Sequence, residues 1–452
     1  MRRMLLAALA ATMFAGTFEG SQAAAGDEAR LRTELAYPVM KRGDGERKTN
    51  HLHVAITGFE ADNDRERAKA NVAIVIDKSG SMQGDNIAQA RKAAVAAVER
   101  MDDDDIVSVV TYDDSVNVLV PATKASDRES ICRKIGSIEA DGSTALFAGV
   151  SKAAAEVRKF NDDDRVNRII LLSDGKANIG PSSPSELEDL GESLSEEGIS
   201  VSTLGLGLGY NEDLMSRLAL GGNGNHVFIE DADELVDVFA KEFEGVSSVV
   251  AKDVRIRVEL AKGVRPVKVL NYPSEIDGQV VELSLGQLYA RQKRYFVLEV
   301  ELPTAGDDSR REVAQASVKY YNLQTKKQDR LTSDATVRFS RSQEEVDRAV
   351  DKEILADCVL QIANEKNRMA TELRDSGNVS EAKKLLEDNA LYLGGYGAEL
   401  NDKRLEESGK ANGWQAKNLD EASWNLNRKL MRQRQYGDAT NQSYGSASEL
   451  AR

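Results

Sequence analysis

The chain has 452 residues, 41% of them hydrophobic and 30% charged, with a formal net charge of −15 from 75 acidic and 60 basic side chains. That length exceeds what one core usually serves, so two or three domains are expected. The acidic balance disfavours a nucleic-acid partner and suits cation binding.

Arg2 and Arg3 precede an apolar run from Leu5 to Gly16, and "SQAAAG" follows. A charged start, a short apolar middle and an A-x-A-like site describe a signal peptide over residues 1–25. The run is about 12 residues, short of the ~20 that span a bilayer, and no later segment is long and apolar enough to do so. Export, to the periplasm or out of the cell, is therefore expected. Cys132 and Cys358 show no framework spacing, and two buried free thiols are expected.

Residues 26–69 carry "ARLRTELAYPVM" and "HLHVAITGF", which read as strands. From 70 to 245 apolar strands alternate with amphipathic helices. "NVAIVI" (71–76) leads to a helix at 85–101, and "DIVSVVTY" (105–112) turns at Asp113-Asp114 into an antiparallel edge strand, "SVNVLV". Helices at 126–138 and 144–159 precede "NRIILLS" (167–173). A helix at 185–197, "ISVSTLGLG" (199–207), a helix at 211–220, "HVFI" (226–229) and a helix at 231–244 close the run. The alternation predicts a doubly wound, mostly parallel α/β sheet.

From 246 to 341 the period becomes two, as in "KDVRIRVELA" and "RYFVLEVEL". These strands and those of 26–69 predict one antiparallel β-sandwich into which the α/β domain is inserted; a loose N-terminal arm is the competing arrangement. Residues 342–400 read as a helical hairpin whose apolar stripe runs through Val346, Val350, Leu355, Val359, Ile362 and Met369. Residues 401–452 read as a polar, partly disordered tail in which a short helix with Trp414 and Trp424 is possible.

Ligands of an open parallel sheet bind at the carboxyl ends of its strands, where the strand order reverses. Asp77, Ser79 and Ser81 follow the first α/β strand, Thr144 opens a helix in "ADGSTALFAG", and Asp174 lies just past a strand in "LLSDGKAN". Taken alone, the first cluster fits a metal site, a phosphate loop, a nucleophile or a helix cap. Capping accounts for one residue and not for five on three loops. Two carboxylates and three hydroxyls are hard oxygen donors that suit Mg²⁺ first, with Mn²⁺ and Ca²⁺ open. So few direct charges would leave the cation Lewis-acidic, with room for a carboxylate from another molecule.

The other motifs have plainer readings. The acidic runs 102–105 and 162–164 lack EF-hand spacing and read as solvated loops. "GLGLG" lacks the dinucleotide-loop spacing and reads as a turn, no Walker-type loop occurs, and His51 and His53 read as an exposed strand face.

Asp77-Lys78-Ser79-Gly80-Ser81 with Thr144 and Asp174 resembles the metal-ion-dependent adhesion site of the von Willebrand factor type A family, D-x-S-x-S, then Thr, then Asp. The layout also resembles bacterial exported type A proteins related to the calcium-activated chloride channel accessory group. The resemblance implies a Rossmann-like fold over 70–245. It also implies a divalent cation held by the five residues and a protein partner that supplies a carboxylate to it. A non-enzymatic role in adhesion or envelope protein–protein interaction is the leading expectation. The alternatives are a metal-assisted hydrolase or phosphatase using the same ion, and an envelope-assembly factor acting through the sandwich and C-terminal helices.

Overall fold

A computed structural model of the chain describes residues 28–60, 67–175 and 179–442. The expected signal peptide, and the tail past 442, lie outside the described residues. The chain opens with β1 (Arg30–Leu35), β2 (Val39–Lys41) and β3 (Arg47–Thr57). An α/β block follows: β4 (Lys69–Asp77), α1 (Asp85–Glu99), β5 (Ile106–Tyr112), β6 (Val116–Lys124), α2 (Arg128–Gly136), α3 (Leu146–Val157), β7 (Arg165–Ser173), α4 (Pro184–Glu196), β8 (Ile199–Leu206), α5 (Glu212–Gly221), β9 (Asn223–Ile229) and α6 (Leu235–Ser247). Next come β10 (Val249–Leu260), β11 (Arg265–Val269), β12 (Glu275–Asp277), β13 (Val280–Tyr289), β14 (Lys293–Pro303), β15 (Arg310–Asn322) and β16 (Lys327–Ser340). Helices α7 (Gln343–Arg348), α8 (Lys352–Asp375), α9 (Val379–Leu400), α10 (Lys403–Gln415) and α11 (Glu421–Thr440) complete the described chain.

The α/β sheet has the order β6-β5-β4-β7-β8-β9, parallel except for the antiparallel edge strand β6. Its strands are apolar on both faces because helices cover both. Val72, Ile74 and Ile76 of β4 pack on one side with α1 and α6, while Ala73 and Val75 pack on the other with α3, α4 and α5. The chain runs outward from β4 through β5 on one side and from β7 through β9 on the other. The topological switch therefore falls between β4 and β7.

The flanking strands form one sandwich of a four-stranded sheet, β1-β3-β14-β11, and a six-stranded sheet, β12-β13-β10-β15-β16-β2. The N-terminal strands are integral to it, since β3 pairs with both β1 and β14. The loose-arm alternative is thereby excluded. The short strands β11 and β12 escape the sequence reading, being only five and three residues long.

The C-terminal helices correct several expectations. Leu355, Cys358 and Val359 of α8 pack with Leu393 of α9 and Leu405 of α10 onto Ala55, Tyr295 and Val297, the outer face of the four-stranded sheet. His53 is therefore not on an exposed face. It is 2% exposed, stacks on Tyr295 and meets the Asp357 carboxylate at 3.1 Å. Val346 sits apart on α7, and Met369 faces solvent. Residues 403–440, expected to be largely tail, carry the helices α10 and α11. Cys358 is buried and Cys132 half-buried, both as free thiols. In the first acidic run Asp105 is buried rather than solvated, because it accepts from Ala70 N (2.8 Å) and Asp102 N (2.8 Å) and pairs with Arg67.

Candidate metal centre

β4 delivers Asp77 to the switch point as its last residue, opposite Tyr112 at the end of β5. Asp77 is fully buried. Its Oδ1 accepts the Ser79 backbone N–H at 2.8 Å, which turns the chain sharply and sets Ser79 and Ser81 on one side. Its Oδ2 accepts from Ser173 Oγ at 2.6 Å and, more weakly, from Tyr112 OH at 3.4 Å. Tyr112 lies this close because α3 carries Gly149 against its ring; a Cβ there would fall 2.8 Å from the ring edge.

Ser79 Oγ and Ser81 Oγ are 3.2 Å apart, and Ser81 Oγ donates to Asp174 Oδ1 at 2.7 Å. The other Asp174 oxygen accepts from Asn86 Nδ2 in the first turn of α1 at 2.9 Å. Thr144 is buried beside them. A Cβ on Gly175 would lie 3.0 Å from Thr144 Oγ1 and 3.5 Å from Asp77 Oδ2. All five residues singled out in the sequence thus converge from three loops. Capping does not explain them, because Ser79 makes no side-chain cap bond and α1 begins after Gly84.

Backbone bonds lock the loops together: Gly80 N donates to Gly142 O (2.9 Å), Asp141 N to Lys78 O (2.6 Å) and Ala145 N to Asp113 O (2.9 Å). Asp113 and Asp114 exceed their expected role as turn formers. Asp113 binds Ser115 N at 2.8 Å within the turn, but also pairs with Lys78 inside the D-x-S-x-S loop. Asp114 Oδ1 accepts Ser143 N at 2.8 Å, next to Thr144. Ser173, Tyr112 and Asn86 were not found from sequence. Ser173 had a visible signal, since it directly precedes Asp174 at the end of β7.

The electrostatics favour a cation. Burial raises the pKa of Asp77, and the nearby Asp174 charge adds to it, against hydrogen bonds from Ser173 and Ser79. Burial likewise raises that of Asp174, against hydrogen bonds from Ser81 and Asn86. Two close, buried carboxylates with hydroxyls around them form an all-oxygen donor set that fits a hard divalent ion. Ser81, Gly80 and Gly142 are exposed, so the site opens to solvent at this rim.

Comparison with known proteins agrees with this geometry. Residues 71–241 match the von Willebrand factor type A domain. The curated protein sll0103 of Synechocystis sp. is 29% identical over 262 residues, 56% of this chain and 61% of the relative, so the chain spans less than two thirds of that protein's length. Among solved structures, a von Willebrand factor type A protein from Catenulispora acidiphila aligns with a TM-score of 0.65 at 17% identity, over 84% of this chain and 89% of that one. The ArnB paralog VWA2 from Sulfolobus acidocaldarius aligns with a TM-score of 0.61 at 17% identity, over 90% and 98%. At that identity the two structures speak for the fold alone, and their coverage extends beyond the α/β block.

Proposed function

Residues 71–241 of this chain are a von Willebrand factor type A domain, and on that footing we propose that the protein is an exported, non-enzymatic binding protein acting through a divalent cation. Type A domains typically mediate metal-dependent protein interactions. Asp77, Ser79, Ser81, Thr144 and Asp174 would hold the ion, Mg²⁺ first. The bound ion would supply a Lewis-acidic centre for a carboxylate on a protein partner.

The observation that carries this reading is the convergence of Asp77, Ser81 and Asp174 from two strand ends at the switch point, with both carboxylates buried. The chain's own residues do the preparatory work. Ser173 and the Ser79 N–H orient Asp77, while Asn86 and Ser81 orient Asp174. The exposed rim at Ser81 leaves an approach for the partner.

The reading favours binding over catalysis. Hydroxyls and an amide, from Ser173, Tyr112, Ser81 and Asn86, serve the two carboxylates, and none of these groups is a general base at neutral pH. His53 and His226 are engaged elsewhere, with Asp357 and Thr203. Affinity capture of envelope proteins on the immobilised chain in Mg²⁺, eluted with EDTA, tests the proposal. A protein retained in Mg²⁺, released by EDTA and not retained by Asp77→Ala or Thr144→Ala supports it. Retention that survives EDTA and both substitutions overturns it.

A further inference from the structure

A second polar site, built from residues other than the strand-end cluster, lies where the α/β domain, the sandwich and the C-terminal helices meet. A cleft of about 250 Å³ is lined there by Arg217 of α5, Arg368 of α8 and Arg432 of α11, with Asn271 contributed by the loop after β11. Three guanidinium groups from three elements face one small volume, and two of them already have a carboxylate partner. Asp213 accepts from Arg428 Nη2 at 2.6 Å as well as pairing with Arg432 at 2.9 Å. Arg217 is held by Glu188 at 3.0 Å.

Arg368 is different. It is half-buried, and among the described residues it makes no hydrogen bond and no ion pair. Glu372, one helical turn further along α8, is exposed and forms no ion pair with it. Burial, then the charges of Arg217 and Arg432, disfavour the Arg368 cation, against the weaker pull of Glu372 and Glu365. A guanidinium is seldom left in this position, since its five donors and its charge both want an acceptor. Asn271 Oδ1, on the wall of the cleft, is a buried acceptor that also lacks a partner among the described residues.

We propose that this cleft binds a small phosphomonoester, whose phosphate is held by Arg368 with Arg217 and Arg432 beside it and whose hydroxyl donates to Asn271. Guanidinium forks match phosphate oxygens in pairs, and three of them suit a dianion. The volume is below that of most drug-sized sites, so it takes a phosphate and a few attached carbons. A ligand there would touch all three units of the fold at once and hold them together.

The test is isothermal titration of the full chain in EDTA, which keeps the type A site out of the measurement. The probes are inorganic phosphate, glycerol 3-phosphate and succinate at matched ionic strength. Saturable one-to-one binding of glycerol 3-phosphate, weakened at least about tenfold by Arg368→Gln, is expected. Arg368→Gln removes no existing bond and should fold. Arg217→Gln, at a side chain 37% exposed, gives a second variant that should weaken binding in the same direction. Absence of saturable binding, affinity unchanged in both variants, or tighter binding of succinate than of either phosphate would overturn the proposal.

Discussion

Glu242 of α6 offers a stringent test of how the α/β domain is fastened to the sandwich. It is fully buried and accepts from Arg168 Nη1 at 2.8 Å, from Asn225 Nδ2 at 2.9 Å and from Ser202 Oγ. Arg168, also fully buried, reaches from β7 to Ser200 Oγ at 3.1 Å and across to Tyr289 OH at 2.7 Å and Gln287 in β13 of the sandwich. The pair therefore joins the last helix of the α/β domain, its central sheet and the sandwich. Glu242→Ala would leave a buried guanidinium without its counter-charge and remove the carboxylate to which Asn225 and Ser202 donate. Breaking a buried pair in this way costs about 3–5 kcal/mol. Glu242→Gln, which keeps one acceptor oxygen but not the charge, should cost less than Glu242→Ala and still be clearly destabilising. Urea unfolding followed by circular dichroism, in a double-mutant cycle with Arg168→Met, measures the effect. The double variant should be clearly more stable than the sum of the single losses predicts, because removing both charges relieves the orphaned one. A loss below about 1 kcal/mol for Glu242→Ala, or strict additivity, would show that this pair does not fasten the α/β domain to the sandwich.

Three further outcomes are expected. The folded-state pKa of Asp77 lies above its ordinary 3.8, so its ionisation costs more in the folded chain than in the unfolded one; in EDTA the wild type should lose stability relative to Asp77→Asn as pH rises from about 4 towards 7, and a relative gain over that range contradicts the burial argument. Asp357 behaves in the opposite sense: burial opposes its charge, but His53, Lys293 and Arg404 prevail and hold its pKa down to about 2. The stability difference between wild type and Asp357→Asn should be about 2 kcal/mol at neutral pH and vanish as pH falls from about 4 to about 2, measured by chemical denaturation across that range; a constant difference would refute it. Lys429 of α11, 2% exposed, donates to Tyr210 O at 2.9 Å and Glu212 at 2.7 Å. Lys429→Met should cost about 2 kcal/mol, since Arg428 still serves Glu212, and should raise hydrogen exchange in residues 207–212 and α11 together; protection unchanged in both segments would show that this contact does not fasten the helix.

The α/β block was legible because its signals are strong and local. Strands β4, β5 and β7 are buried on both faces and read as continuous apolar runs, and Asp77 and Asp174 sit directly at the ends of β4 and β7. The last two helices were not legible for a physical reason. Their inner faces are largely polar, around a few apolar side chains such as Leu405 and Met431, and are satisfied by side-chain amides from other helices. Asn412 Oδ1 accepts from Asn367 and Asn389, each at 3.0 Å, and Gln435 Nε2 donates to Asn367 Oδ1 at 2.6 Å. A helix packed through such a network carries no hydrophobic stripe for sequence to show. His53 was misplaced because its cover, Asp357 on α8, lies 304 residues away. At the site itself, the five residues were found by motif and strand context. The residues that orient them, Ser173, Tyr112 and Asn86, became visible only once the loops were in place.

On the proposed reading, Asp77, Ser79, Ser81, Thr144 and Asp174 hold one divalent cation. Equilibrium binding of Mn²⁺, read by electron paramagnetic resonance of the free ion and repeated in competition with Mg²⁺, addresses it directly. One Mn²⁺ per chain, displaced by Mg²⁺ and lost in both Asp77→Ala and Asp174→Ala, is the predicted result. Stoichiometric Mn²⁺ binding that persists in both variants, or no binding by the folded wild type, would contradict it.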